Sequence, residues 1–240
     1  MRIEQIIEQI GKLKVAVIGD VMIDRYIEGS IDRISPEAPV PVLNFEHEES
    51  RLGGAANVAL NLQALGAEVF ICSVIGADDQ GDEFIKILDR RRFSTACIVK
   101  SADRQTTVKT RVIAANQHVL RVDREDKEDL NNTEQSKLMT AIDSLIKNNE
   151  IDIILLQDYN KGVLSKYVIK HTLDLATKNN ILTAVDPKKR NFLAFKNVNL
   201  FKPNLNEVQD QLPFEIRPNI EDLDKADAFL RSKLDHNISL

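Results

Sequence analysis

Short apolar runs rich in β-branched residues recur along the chain and alternate with segments of helical periodicity. The runs are KVAVIG at 14–19 and further stretches at 68–75, 151–157, 181–185 and 198–201. A strand buried on both faces reads as such a run, whereas one with a wet face alternates. Between the runs, apolar residues recur at helical spacing at 56–65, 80–91, 134–148 and 165–178. Ile3, Ile6, Ile7 and Ile10 mark a first helix over 1–10, which Gly11 ends. Parallel strands need long crossovers, and helices supply them. The fold class expected is therefore α/β with a parallel sheet.

Two segments break this rhythm. Residues 26–50 hold Pro36, Pro39 and Pro41 among alternating apolar residues, and residues 106–123 alternate on both sides of Ala115-Asn116-Gln117. Proline in a strand points to a sheet edge, and alternation to a sheet covered on one face. These pieces are expected to form a small separate sheet, a lid. A three-residue turn at 115–117 would set Arg111 opposite Arg121, whereas a two-residue turn would move Arg121 to the other face. No repeat or linker interrupts residues 1–240, which read as one domain.

Composition narrows the function. With 32 Lys+Arg against 37 Asp+Glu, the chain carries a net charge of −5, opposite in sign to a general nucleic-acid binder. No run reaches the roughly 18 apolar residues that a membrane helix needs. Cys72 and Cys97 stand alone, without metal-ligand spacing, and fit a reducing cytoplasm. His47, His118, His171 and His236 form no metal motif and are read as solvent-facing. Dinucleotide, Walker-type phosphate and nucleophile-elbow motifs do not occur.

The residues left are polar groups at expected strand ends. Gly53-Gly54-Ala55-Ala56-Asn57 precedes a helix, where glycines admit a ligand close to backbone and free N–H groups favour a polar or anionic group. A tight turn with Asn as a cap is the plainer alternative. Asp20 and Asp24 follow the first strand, at the edge where open sheets bind ligands, and a carboxylate there suits sugar hydroxyls. Lys109 and Arg111 share a strand face and suit a phosphate. Asp158-Tyr159-Asn160-Lys161-Gly162, Asp186-Pro187-Lys188-Lys189 and Lys202-Pro203-Asn204-Leu205-Asn206-Glu207 then bring polar groups to one rim from three successive strands.

The glycine run, with Gly66 and Gly76 beyond it, resembles the first signature of the ribokinase-like (PfkB) carbohydrate kinases. GDVMIDRYIEG at 19–29, RISPEAPVPV at 33–42, KTRVIAANQHVLRVDRE at 109–125, DYNKG at 158–162 and KPNLNE at 202–207 resemble its branch that acts on D-glycero-β-D-manno-heptose 7-phosphate. The resemblance implies a three-layer α/β/α sandwich with a β lid, a homodimer joined through the lids, and ATP and Mg²⁺ as co-substrates. It implies phosphoryl transfer to the anomeric hydroxyl of a heptose 7-phosphate, a step towards ADP-heptose and the lipopolysaccharide core.

Carried over by position, Asp24, Gly53, Gly54 and Asn57 hold sugar hydroxyls, and Lys109, Arg111 and Arg33 the acceptor's phosphate. Asp158, Lys161 and Asp186 stand at the site without a set role. Asn204 and Glu207 face the ATP phosphates, with Glu207 reaching Mg²⁺ through water. The family's later Gly-Ala-Gly-Asp, which supplies an anion hole and the catalytic base, is not found after Glu207. That base is expected beyond residue 240, and the 240 residues alone are expected not to turn over ATP. A kinase for another sugar and a non-catalytic sugar-phosphate binder are the alternatives.

Overall fold

The computed structural model describes residues 3–240. Met1 and Arg2, the start of the expected first helix, lie outside the described residues. The chain runs through α1 (Ile3–Ile10), β1 (Lys14–Gly19), β2 (Val21–Ile34), β3 (Pro41–Gly54), α2 (Ala55–Ala64), β4 (Glu68–Gly76), α3 (Asp79–Arg90) and β5 (Ile98–Ser101). It continues with β6 (Val108–Ala114), β7 (Gln117–Arg124), α4 (Asn132–Asn148), β8 (Ile153–Gln157), α5 (Lys166–Lys178), β9 (Leu182–Asp186) and β10 (Leu200–Phe201). It closes with α6 (Leu205–Gln209), α7 (Ile220–Leu234) and β11 (Ile238–Ser239).

The main sheet has the order β11-β10-β9-β8-β1-β4-β5, and its pairs are parallel. Because side chains alternate across a strand, β1 feeds two cores at once. Ala16 and Ile18 join Ile154, Leu156 and Phe201 beneath α4, α5 and α7, through residues such as Leu138, Ile142, Val168 and Leu230. Val15 and Val17 join Val69 and Ile71 beneath α2 and α3, against Ala55, Ala59, Phe84 and Leu88. The result is the expected three-layer sandwich, with β1 at its middle.

The small sheet, in the order β3-β2-β6-β7, is longer than the sequence led one to expect. β2 and β3 form one antiparallel ribbon paired from Val21↔Gly54 out to Ile34↔Pro41. Its root therefore lies at 21 and 54 rather than at 26 and 50, and Pro41 opens the edge strand where no ladder donor is needed. Asp78 fixes the second root. It caps α3 through the Gly81 N–H at 2.8 Å and accepts from the Thr106 N–H at 3.0 Å and the Thr106 hydroxyl at 2.6 Å.

The β6–β7 turn combines both sequence alternatives. Ala115 and Asn116 have φ of 48° and 61°, a two-residue turn, and Ala114 pairs with Gln117. Val119 is then an extra residue in β7, a bulge, after which Val112 faces Leu120 and Arg111 faces Arg121. A second extra residue, Glu46, shifts β3 so that Phe45 pairs with Gly29. These two bulges gather Ile27, Phe45, Val112 and Leu120 on one face of the sheet, and leave Asp24, Tyr26, Lys109, Arg111 and Arg121 on the other. Phe45, Leu120 and Val122 on the apolar face are exposed.

One histidine departs from the surface reading. His236 is buried, its ring centroid 5.3 Å from that of Phe201 and its Nε2 2.6 Å from the Ser239 hydroxyl. His236 lies in the connection between α7 and β11, where no periodicity marks a buried position.

Ile18 is fully buried where β1 meets the larger core. Ile18→Ala is expected to lower unfolding free energy by about 2–5 kcal/mol. Urea denaturation checks this, and a loss under about 1 kcal/mol would remove β1 from the centre of the packing.

Candidate active site

The carboxyl ends of β1, β8, β9 and β10 lie side by side, since Gly19 pairs with Gln157, Gln157 with Asp186, and Val185 with Phe201. A single buried carboxylate organises this rim. Asp20 is 1% exposed; its Oδ2 accepts from the N–H groups of Tyr159 at 2.7 Å and Lys161 at 3.1 Å, and its Oδ1 from that of Val163 at 3.0 Å. Burial pushes the Asp20 pKa up, against the pull of these three N–H groups. Asp20 is thus a fastener for the DYNKG loop rather than a ligand for hydroxyls.

Asp24 stands four residues on, within β2, with its side chain reachable from solvent. Its Oδ1 accepts from Arg111 Nη1 at 2.6 Å, and the Tyr26 ring lies 5.3 Å from the same guanidinium. The glycine run sits against these two aspartates. A Cβ on Gly53 would lie 2.4 Å from Asp24 Oδ2, and one on Gly54 2.4 Å from the Asp20 carbonyl oxygen. Gly54 also has φ +59°, so that position excludes a side chain, whereas a side chain at Gly53 would displace the Asp24 carboxylate. The plainer turn reading holds in part, for Gly54 is the N-cap of α2 and the Ala55 N–H donates to the Asp20 carbonyl at 2.9 Å. Asn57, in the first turn of α2, is exposed, and it is not the cap.

The cations expected on the small sheet are there, but each meets a carboxylate. Lys109 lies 3.2 Å from Asp123 and 3.7 Å from Glu125, Arg111 pairs with Asp24, and Arg121 lies 3.0 Å from Asp123. Lys161, across from the sheet on the DYNKG loop, reaches Glu125 at 2.7 Å. Burial raises the Glu125 pKa, yet Lys161, Lys127 and the charge of Lys109 outweigh it and hold the group below its usual range. Arg33 is not brought to this cluster. It pairs with Val42 near the far tip of β2, nine residues and roughly 30 Å along the strand from Asp24.

On the opposite side of the rim, Asn204 and Glu207 form a capping box on α6. Glu207 N–H donates to Asn204 Oδ1 at 2.9 Å and Asn204 N–H to Glu207 Oε2 at 2.8 Å. The other oxygen of Glu207 meets the Lys188 ammonium, which also lies 3.6 Å from Asp186; Lys202 approaches Asp186 at 3.7 Å. Lys188 was quoted in the sequence without a role, and this bridge gives it one. Among the described residues, no three His, Cys, Asp or Glu side chains gather to hold a metal.

Asp158 lies between the two sides, its N–H donating to the Asp186 carbonyl at 3.2 Å. It is buried, its Oδ1 accepts from the Asn160 N–H at 2.7 Å, and its Oδ2 has no hydrogen-bond partner among the described residues. Burial drives its pKa up to about 6; the Asn160 N–H opposes this and the charge of Asp20 adds to it.

A family model described as pfkB family carbohydrate kinase matches residues 12–237. The chain is 42% identical over 203 residues to the Bifunctional protein HldE of Helicobacter pylori (strain Shi470), covering 85% of this chain and 43% of that one. It is 39% identical over 228 residues to the protein of the same name from Campylobacter fetus subsp. fetus (strain 82-40), covering 95% and 49%. The chain therefore spans less than half the length of these two relatives. Among solved structures, it resembles phosphofructokinase-2 from Escherichia coli in complex with fructose-6-phosphate, with TM-score 0.70 and 18% identity over 94% of this chain and 71% of that one. It also resembles Arabidopsis thaliana ribokinase complexed with ribose and ATP, with TM-score 0.65 and 14% identity over 95% and 70%. At these identities the two structures establish the fold.

Asp158 generates a pH test. A carboxyl whose pKa rises from 3.8 unfolded to about 6 folded contributes stability below 3.8 that is lost as pH climbs through 6. Asp158→Asn keeps the Asn160 contact and never ionises. Its melting temperature, relative to wild type, is expected to rise between pH 4 and pH 8, by an amount equivalent to roughly 2–3 kcal/mol. A difference that stays flat over that range would mean that Asp158 ionises in the fold as freely as in water.

Proposed function

Because the chain belongs to the pfkB family of carbohydrate kinases, we propose that it serves ATP-dependent phosphorylation of the anomeric hydroxyl of a heptose 7-phosphate. The observation that carries the reading is Asp24, a solvent-reachable carboxylate seated over Gly53 at the root of the small sheet. With Asn57 on the first turn of α2, it offers acceptors and donors for neighbouring hydroxyls of one sugar. Lys109, Arg111 and Lys161 flank that position and suit the acceptor's phosphate. The sequence motifs shared with heptose 7-phosphate kinases support this acceptor over other sugars.

ATP would approach from the side of β9 and β10. Mg²⁺ commonly takes one or two carboxylates and completes its shell with water and phosphate oxygens. Asp186 and Glu207 fit that demand in donor type, with Glu207 acting through water. Mg²⁺ would neutralise charge on the transferring phosphoryl group. Lys188 and Lys202 would meet the ATP phosphates, and Asn204 would hold Glu207 in place. Phosphoryl transfer rests largely on positioning and charge stabilisation, which a rim fixed by Asp20 supplies.

The small sheet is proposed as a lid. Its exposed Phe45, Leu120 and Val122 support a homodimer in which a second lid covers that face. A sheet of so few strands is marginal alone when one apolar face stays wet.

Replacing Asp24 by Asn keeps shape and removes the charge, and a hydrogen bond to a charged group contributes roughly 1.5–3 kcal/mol. Heptose 7-phosphate affinity, measured by calorimetric titration, is expected to fall about tenfold or more. Unchanged affinity in Asp24→Asn would overturn the placement of the acceptor. Binding of fructose 6-phosphate or ribose in preference to heptose 7-phosphate would instead overturn the choice of sugar.

A further inference from the structure

Glu125 was given no role in the sequence, yet beside the Arg25–Glu83 and Arg124–Asp78 pairs it is a third point at which the small-sheet segment meets the main domain through charge. It follows β7 directly. Its Oε2 is shielded from solvent and lies 2.7 Å from Lys161 on the DYNKG loop and 3.7 Å from Lys109 on β6, while Oε1 lies 3.2 Å from Lys127. Among the described residues no aligned hydrogen bond reaches Oε2, and ion attraction holds it there. One oxygen thus sits between two ammonium groups, that of Lys109 on β6, which also donates to Asp123 at 3.2 Å, and that of Lys161 on the loop after β8.

Lys109 and Lys161 share that oxygen, so their ammonium groups are close enough to clasp one phosphate. Their positions are set independently of Glu125. Lys109 is a ladder residue paired with Asp24 and Asp123, and Lys161 sits on a loop whose N–H groups Asp20 fixes. A carboxylate lodged between two prepositioned cations takes the place of an anionic ligand.

We propose that Glu125 is a positioning residue that latches the lid to the rim by filling the Lys109–Lys161 clasp, and that a phosphate group of the acceptor enters by displacing it. The proposal rests on the reading of those lysines as phosphate contacts. Displacement exchanges one anion for another at the same cations and frees the β7 exit from the DYNKG loop. Acceptor binding and release of Glu125 from the DYNKG loop are then one event, while Asp78 keeps the lid root in place. A resident anion that must leave also weakens binding to any group with less than a phosphate's charge, so the clasp discriminates for phosphorylated sugars.

The test is titration of inorganic phosphate into the full-length wild-type protein and into Glu125→Gln, Glu125→Asp and Glu125→Gln/Lys161→Met, with melting temperature checking each fold. A nearby opposite charge shifts ionic equilibria by one to three powers of ten when shielded, and less at a partly open site. Glu125→Gln is therefore expected to bind phosphate about three- to tenfold more tightly, Glu125→Asp to stay near wild type, and the double variant to lose the gain. A residue with a purely structural part would weaken binding when removed. Unchanged or weaker phosphate binding in a folded Glu125→Gln overturns the latch. If the variants behave as expected while wild type binds heptose 7-phosphate no better than inorganic phosphate, the latch stands and the heptose reading falls.

Discussion

The carboxylate of Asp20 is buried in the sheet edge and answers three backbone N–H groups of one loop. Each hydrogen bond to a charged group contributes roughly 1.5–3 kcal/mol, and an ionised carboxyl shut from water without partners would be far costlier. The loop therefore has little choice but to wrap Asp20. That wrapping sets Asp158 at the rim, points Lys161 towards the small sheet, and carries the chain on to Ser165, which caps α5. From β1 the same residue reaches the other side, since its carbonyl accepts the Ala55 N–H that begins α2. One residue ties the first strand to both halves of the candidate site.

The small sheet obeys a second constraint, that its two faces do opposite work. One face must be apolar enough to be worth covering, and the other must carry charge above the rim. Strict alternation over two 14-residue strands and a tight hairpin would not deliver this, because the pattern slips at Glu46 and at Val119. A bulge at each point restores it. With a third extra residue at Asp32 in β2, the cost is three unpaired ladder positions, and the gain is an apolar strip on the face opposite the Asp24–Arg111 pair.

Much of the fold was legible because buried parallel strands and amphipathic helices leave strong patterns; β1, β4, β8 and β9 fall within two residues of their expected ends. The short elements were not. β5, α6, α7 and β11 are too brief or too polar for periodicity to mark, and the hairpin register depended on a bulge that no residue type announces. At the site, the glycine run, Asp24, Asn57 and the rim motifs were visible because they are turn-forming or charged residues at strand ends. Asp20 was visible but ambiguous, since a ligand carboxylate and a loop fastener look alike in sequence. Glu125 stood at the end of a quoted motif without a role of its own, because its importance comes from where Lys109 and Lys161 end up in space. Arg33 shows the converse: a residue drawn in by resemblance that the strand carries far from Asp24.

The rim also shows why charge counts alone mislead. Lys109, Arg111, Lys161 and Lys188 are each held by an acidic partner, so the site is a set of poised exchanges rather than a bare basic patch. Such exchanges need a rigid frame, and Asp20 provides it. Amide hydrogen exchange of Tyr159, Lys161 and Val163 tests this most directly. The account predicts slow exchange at all three in wild type, comparable with Val17 in β1, and loss of that protection in Asp20→Ala while Val17 keeps its own. Rapid exchange at the three amides in wild type would contradict it.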